Sequence, residues 1–369
     1  MIVIFSPDVV PGGEEVQRLL ERARHFPNVT PQVHVVQGET RSLTEVYLIG
    51  ETRAIPDDEM SDLPGVERVV RVSEKYRLIG RHKGQMEALA CEYNGVGFEQ
   101  GTFNLLAGLC AVDTRDNVEK TFRALEALGL ATARMGAYKP RTSPYDFQGR
   151  GGACLSYVFE LAGKYGIRMI AMEVLHESHV EEILDALHRS GNATGVMLQI
   201  GTRNAQNFEL LRAVGQQQEL PVLVKRGMGI TLEESLNACE YVAVNGNRRI
   251  VICLRGVKTH LGDPHRNFVD FAHVPVVKRL TRLPVCVDPS HAVGRKDRAP
   301  DGITDLAHAT AQGIIAGCEM VLADVHPNPA EALCDGPQAL LLEELPGFLE
   351  DCRIVRRAYE QRAALAARH

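Results

Sequence analysis

Two hydrophobic rhythms succeed one another along the chain. In the first, short apolar runs break often. "MIVIF" reads as a strand, and "GGEEVQRLLERARHF" places Val16, Leu19, Leu20 and Ala23 on one helical face. "QVHVVQ" and "EVYLIGE" read as two further strands, "PDDEMSDLP" as a turn or short helix, and "VERVVRV" as a last strand. The order βαββαβ over residues 1–75 predicts a ferredoxin-like unit, too small to be more than an accessory domain. Residues 76–102 are polar and contain glycine, which suits a linker and lead-in.

The second rhythm fills residues 103–369. Apolar runs too uniform for burial on one face recur: "FNLLAGLC", "LATARMGAY", "IRMIAMEVL", "GVMLQIG", "PVLVKRG", "RIVICLRG", "LPVCVDPSH" and "CEMVLADVHP". Strands covered on both faces read this way. Amphipathic stretches such as "NVEKTFRALEALG", "ACLSYVFELAGKYG" and "HVEEILDALHRSG" lie between most of them. Eight strand–helix units at a spacing of about 30 residues predict an α/β fold, the (β/α)8 TIM barrel. A doubly wound parallel sheet is the alternative the pattern leaves open.

Composition narrows the function by exclusion. Of 369 residues, 45% are hydrophobic and 24% charged, an ordinary globular balance. The formal net charge of -6 excludes a general binder of nucleic acid or membrane surface. No apolar run reaches the roughly 18 residues of a membrane span. The opening "MIVIFSPDVV" has neither the basic lead nor the small-residue site of a signal peptide. Nine cysteines without a CxxC pair suit a reducing compartment, so the expected location is cytoplasmic.

The polar residues inside the apolar runs gather at their ends. Cys110 ends the first run; Arg134, Lys139, Arg141 and Thr142 end or follow the second; Glu173 ends the third; Arg203 follows the fourth. Lys225 and Arg226 end the fifth, Arg255 the sixth, "DPSH" (Asp288 to His291) the seventh, and Asp324 and His326 the eighth, with Asp335 in the loop beyond. A barrel brings all eight strand ends to one face. Six cations there, Arg134, Lys139, Arg141, Arg203, Lys225 and Arg255, would repel one another without a ligand. A multiply anionic substrate carrying phosphate and carboxylate is the fitting counter-charge. Cys110, His291, Asp324 and Asp335 form a second set, whose thiolate, imidazole and carboxylates are competent ligands for a divalent metal.

The segments "RMGAYKPRTSPYDFQG", "LQIGTRNAQNFELL", "LVKRGM", "VDPSHAVGRKD" and "DVHPNPAEALCDGPQ" closely resemble the 3-deoxy-D-arabino-heptulosonate 7-phosphate (DAHP) synthases of the type I beta branch. The resemblance covers roughly residues 103–350, and the N-terminal unit resembles the ferredoxin-like domain of some members. It implies metal-dependent condensation of phosphoenolpyruvate with erythrose 4-phosphate, giving DAHP and phosphate at the head of the shikimate pathway of aromatic amino acid biosynthesis. It also implies that Arg134, Lys139, Arg203, Lys225 and Arg255 hold phosphoenolpyruvate. Arg141, Thr142 and Ser143 would hold the aldose phosphate. Cys110, His291, Asp324 and Asp335 would bind Mn, Fe, Zn or Co. Lys139, Cys110 and His291 would be catalytic, with Glu173 a pocket carboxylate. An aromatic amino acid effector and a homo-oligomer, dimer or tetramer, are further implications.

The chain departs from the family pattern at "GLCAVD", with Leu109 for proline and Asp113 for glutamate, at Asp324 for glutamate, and at Leu254 in "CLRG". "DRAPDGITD" is longer than usual. These departures leave open a paralogue acting on a modified aldose phosphate, or a degenerate barrel that binds a ligand and regulates. "KPRTS" favours a four-carbon aldose over the longer sugar of the related octulosonate synthases. A Schiff-base aldolase built on Lys225 is the competing chemistry.

Overall fold

The computed structural model describes residues 1–37, 42–56, 58–71, 76–82, 87–89 and 91–368. It divides into two compact units, Met1–Arg77 and Leu78–His369.

In the first unit the elements are β1 (Ile2–Phe5), α1 (Glu14–Ala23), β2 (Val29–Gln37), β3 (Ser42–Gly50), α2 (Asp58–Ser61) and β4 (Val66–Val70). The sheet order is β2-β3-β1-β4 with antiparallel neighbours, the ferredoxin-like arrangement the alternation predicts. Val16, Leu19 and Ala23 of α1 are buried against Val3, Phe5, Val46 and Leu48 of the sheet, with Leu20 at the margin. The 3.6-residue period of the helix and the two-residue period of the strands thus meet in one small core.

In the second unit a hairpin, β5 (Glu92–Tyr93) and β6 (Val96–Gly97), precedes β7 (Asn104–Leu109). Then follow α3 (Arg115–Ala127), β8 (Thr132–Met135), α4 (Leu155–Lys164), β9 (Met169–Val174), α5 (Glu177–Ser190), β10 (Gly195–Ile200), α6 (Phe208–Gln216), β11 (Val222–Lys225) and α7 (Leu232–Val244). The chain continues through β12 (Ile250–Leu254), α8 (Val274–Leu280), β13 (Val285–Val287), α9 (Pro289–Val293), α10 (Asp305–Ile315), β14 (Met320–His326), β15 (Leu340–Leu341) and α11 (Leu345–Ala366). Strands β7 to β14 pair in parallel with their sequence neighbours, and β14 pairs with β7 to close an eight-stranded barrel. Burial is complete along β8, β9, β10, β12 and β14, which explains the unbroken apolar runs.

The polar stretch before the barrel contains a floor for it. Cys91, Val96 and Phe98 pack with Leu106, Met169, Met197, Leu223, Val251 and Met320 of the strands in one buried cluster. Gly195 lacks a side chain where the ring of Tyr93 lies against the start of β10. Capping fixes several helix starts above this floor. Thr114, Asn207 and Thr304 accept from backbone N–H groups of α3, α6 and α10, and Thr231 forms a capping box with Glu234 at α7.

Candidate active site

A cavity opens at the C-terminal ends of the barrel strands. Lys139, Arg141, Arg203, Lys225, Arg255 and Arg266 line it, against the carboxylates of Asp146, Glu173 and Asp335. Six cations facing three anions leave a net positive mouth in a chain of formal charge -6.

The deepest of these cations is the least satisfied. Arg255, one residue past β12, is 1% exposed. Among the described residues its Nη atoms reach only the carbonyls of Gly256 and His291, at 3.4 and 3.3 Å, and its Nε has no partner. Burial pulls its pKa down, and Asp288 and Asp270 only partly offset this. Leu254, where the family pattern has a carboxylate, is fully buried and leaves the guanidinium without that counter-charge.

Lys225 at the end of β11 donates to Asp288 at 2.6 Å. Lys139 lies 3.1 Å from Cys110 Sγ and 3.8 Å from Glu173. Burial alone would lower the Lys139 pKa, but Cys110 and Glu173 outweigh it and hold the ammonium firmly charged. Glu173 reaches this position because Gly201 has no Cβ; any side chain there would overlap its carboxylate.

The candidate metal donors converge beside Lys139. Cys110 Sγ is 3.2 Å from Asp335 Oδ2 and 3.8 Å from His291 Nε2, and the latter two atoms are 3.8 Å apart. The imidazole is set by Asp288, which caps the single turn of α9, accepting from the His291 N–H at 3.0 Å and facing Nδ1 at 2.9 Å. Burial would lower the His291 pKa, but Asp288 and Asp324 outweigh it and hold it near 10. Burial likewise opposes ionisation of Asp335, yet His291, Lys139 and Arg266 keep its carboxyl far below the usual range. A hydrogen bond shared with Cys334, then burial, pushes the Cys110 thiol well up, while the same hydrogen bond lowers Cys334. Among the described residues, two groups bring their donor atoms within 4.8 Å of one another and could hold a metal: Cys110, His291 and Asp324, and Cys110, Cys334 and Asp335.

Not every residue read from the sequence faces the cavity. Arg134 is 2% exposed and ion-paired with Asp324, whose other oxygen accepts from Gln338 Nε2. Neither Arg134 nor Asp324 lines the opening, and Ser143 is also absent from its wall. The Ser143 hydroxyl accepts from the Tyr145 N–H at 3.3 Å instead. Arg141 pairs with Asp146 at 3.0 Å, and Arg203 donates to the Thr142 hydroxyl at 3.3 Å; both arginines stand at the rim. Arg226 turns away to Asp270 and His273, each at 2.9 Å. His326 is bonded to Asp113 at 2.7 Å, so that departure from the family pattern braces the end of β14 outside the cavity.

Strand-end logic did not find Arg266, Cys334 or Gln338. Arg266 comes from the long β12–α8 connection and reaches Asp335 at 2.9 Å and Gln338 at 3.1 Å. Cys334 is neighbour to a residue the sequence did mark, and that adjacency was its one available signal.

The comparisons with known proteins agree with this geometry. Residues 94–358 match the DAHP synthetase I family and residues 1–74 the DAHP synthase ferredoxin-like domain. The chain is 36% identical over 353 residues to a phospho-2-dehydro-3-deoxyheptonate aldolase of Thermotoga maritima, covering 96% of this chain and 97% of that one. It is 26% identical over 270 residues to a 2-dehydro-3-deoxyphosphooctonate aldolase of Pasteurella multocida, covering 69% and 89%. The crystal structure of the Thermotoga maritima DAHP synthase superposes with a TM-score of 0.70 at 33% identity, covering 97% of each chain. A truncated form of the Thermotoga maritima enzyme gives 0.65 at 32% identity over 76% of this chain and 96% of its own. The chain therefore belongs to the DAHP synthetase I family and is an enzyme of the class that joins phosphoenolpyruvate to a sugar phosphate.

Proposed function

We propose that this enzyme condenses phosphoenolpyruvate with erythrose 4-phosphate, giving DAHP and inorganic phosphate, with the help of a divalent metal. The observation that carries the reading is Arg255: a buried guanidinium with an unpaired Nε, set among five other cations at the mouth of a barrel. A buried charge held this way is completed by an anion. Lys139, Arg203, Lys225 and Arg255 hold the phosphate and carboxylate of phosphoenolpyruvate. Arg141 and Thr142, at the rim, hold the aldose phosphate. Arg134 serves as the counter-ion of Asp324 rather than as a substrate ligand.

Side by side, the two anions place C3 of phosphoenolpyruvate against the aldehyde carbon, and holding them there lowers the barrier through orientation. C3 forms the new bond, water adds at C2, and the hemiketal phosphate collapses to release phosphate. Lys139 donates the proton that the nascent alkoxide takes up. Cys110, His291 and Asp335, spaced 3.2 to 3.8 Å apart, fit a divalent cation (Mn, Fe, Zn or Co), which when bound would supply Lewis acidity toward the aldehyde oxygen. Lys225, salt-bridged to Asp288, serves as a charged donor, which disfavours an imine mechanism. Retention of the donor set disfavours a non-catalytic regulator.

The test is phosphate release from the purified protein with phosphoenolpyruvate and a panel of aldose phosphates, with and without chelator. Chelator-sensitive release that requires erythrose 4-phosphate supports the reading. Release without an aldehyde, or with none of the panel, removes it, and release that requires a different aldose identifies the paralogue instead.

The N-terminal unit is read as regulatory, its effector an aromatic amino acid, in a homo-oligomeric and cytoplasmic enzyme. Nine free thiols and the lack, among the described residues, of any helix long and apolar enough to cross a membrane agree with that location. Activity of the full chain with added tyrosine or phenylalanine, and its mass by light scattering, test these points. No inhibition by either, or a monomer, would remove them.

A further inference from the structure

We propose that the metal is held by two thiolates: Cys334 joins Cys110, His291 and Asp335, while Asp324 stays outside as the counter-ion of Arg134. The inference rests on the metal-dependent reading above.

The first support is the spacing of the donors. Metal–ligand bonds of about 2.0–2.3 Å place the corners of a tetrahedron roughly 3.3–3.8 Å apart. Cys110 Sγ, His291 Nε2 and Asp335 Oδ2 are separated by 3.2, 3.8 and 3.8 Å. The Cys334 thiol lies with Cys110 Sγ and an Asp335 oxygen inside one 4.8 Å group. Neighbouring side chains on an extended chain point apart. Here Asp335 has φ 54, a left-handed turn that only a few non-glycine residues adopt. The turn lets consecutive residues present their donors to one point. The thiols sit in a small buried cluster with Ala111, covered by Phe147.

The second support is where Asp324 points. One of its oxygens is ion-paired with the buried Arg134, and the other accepts from Gln338. Its 3.8 Å approach to His291 is to Nδ1. That nitrogen already faces Asp288 at 2.9 Å, so Nε2 is the one free to ligate, and it faces Cys110 and Asp335. Moving Asp324 onto the metal would leave Arg134 buried beside an uncompensated site. Two sulfurs make the site soft, favouring Zn or Co over Mn.

The experiment reads ligands rather than turnover. The protein is loaded with Zn and its sulfur neighbours are counted by X-ray absorption. Cobalt loading of the wild type, Cys334→Ser and Asp324→Asn is followed by the thiolate-to-cobalt charge-transfer band. Two sulfurs at about 2.3 Å, a band that falls to about half in Cys334→Ser, and unchanged cobalt stoichiometry in Asp324→Asn are expected. One sulfur in the zinc shell, an undiminished band in Cys334→Ser, or no stoichiometric metal uptake overturns the proposal. The zinc measurement uses the unaltered chain, so it stands if a variant fails to fold. Because none of these readings needs substrate, an incorrect aldose would leave them unaffected, and an incorrect ligand set would leave the phosphate assay unaffected.

Discussion

Asp288 joins Lys225 to His291: its carboxylate takes the Lys225 ammonium at 2.6 Å and the His291 ring nitrogen at 2.9 Å. One carboxylate thereby sets both a cation of the cavity and a candidate metal donor. Burial alone would push its pKa up, but His291 and Lys225 hold it well below the carboxylate range. Asp288→Asn keeps the shape and removes the charge. Loss of a partner of this kind lowers metal affinity by about 10- to 100-fold. Zinc competition titration with a chromophoric chelator measures it, and unchanged affinity would show that the carboxylate does not orient the imidazole.

Arg255 offers a separation of binding from stability. In Arg255→Met the volume is kept and the buried charge is lost. A hydrogen bond to a charged group contributes about 1.5–3 kcal/mol, so KM for phosphoenolpyruvate should rise roughly 10- to 150-fold. The unliganded variant should melt no lower than the wild type, since its Nε gives up no partner. Thermal shifts with and without phosphoenolpyruvate check both halves; a ligand-induced shift equal to the wild type's would contradict the assignment.

The Arg134–Asp324 pair is almost wholly out of solvent. Arg134→Met should cost about 3–5 kcal/mol, because it strands a buried carboxylate. Arg134→Met with Asp324→Leu should recover most of that loss. Urea unfolding of the two variants compares them, and a double variant as unstable as the single would deny that the pair is a self-contained structural unit.

Asp113 carries a pH signature. Burial would raise its pKa, but hydrogen bonds from His326, Thr114 and Asn117 hold it below the ordinary value. A depressed folded pKa gives stability that is present above the unfolded value of about 3.9 and lost as pH falls through the folded one. The wild type should out-melt Asp113→Asn by a constant margin above about pH 5, and the margin should shrink below about pH 4. A margin that persists in full under acid would exclude the ionised carboxylate as its source.

The barrel was legible because strands buried on both faces announce themselves as uniform apolar runs, and strand ends then point to one face. That logic reached Lys139, Glu173, Lys225, Arg255, Cys110 and His291. It could not say which cations would be neutralised internally. Arg134 meets Asp324 across 190 positions and Arg226 meets Asp270 across 44, pairings decided by side-chain packing. Arg266 and Cys334 were hidden because they come from loops. The polar look of residues 76–102 likewise concealed Cys91 and Phe98, which belong to the barrel core.

That concealed floor fills the N-terminal end of the barrel with side chains, and the described cavity opens at the opposite ends of the strands. Arg255 is the least exposed of the cations that line it, at 1%. An anion paired with Arg255 would therefore sit beneath one held by the more exposed Arg141 and Arg203.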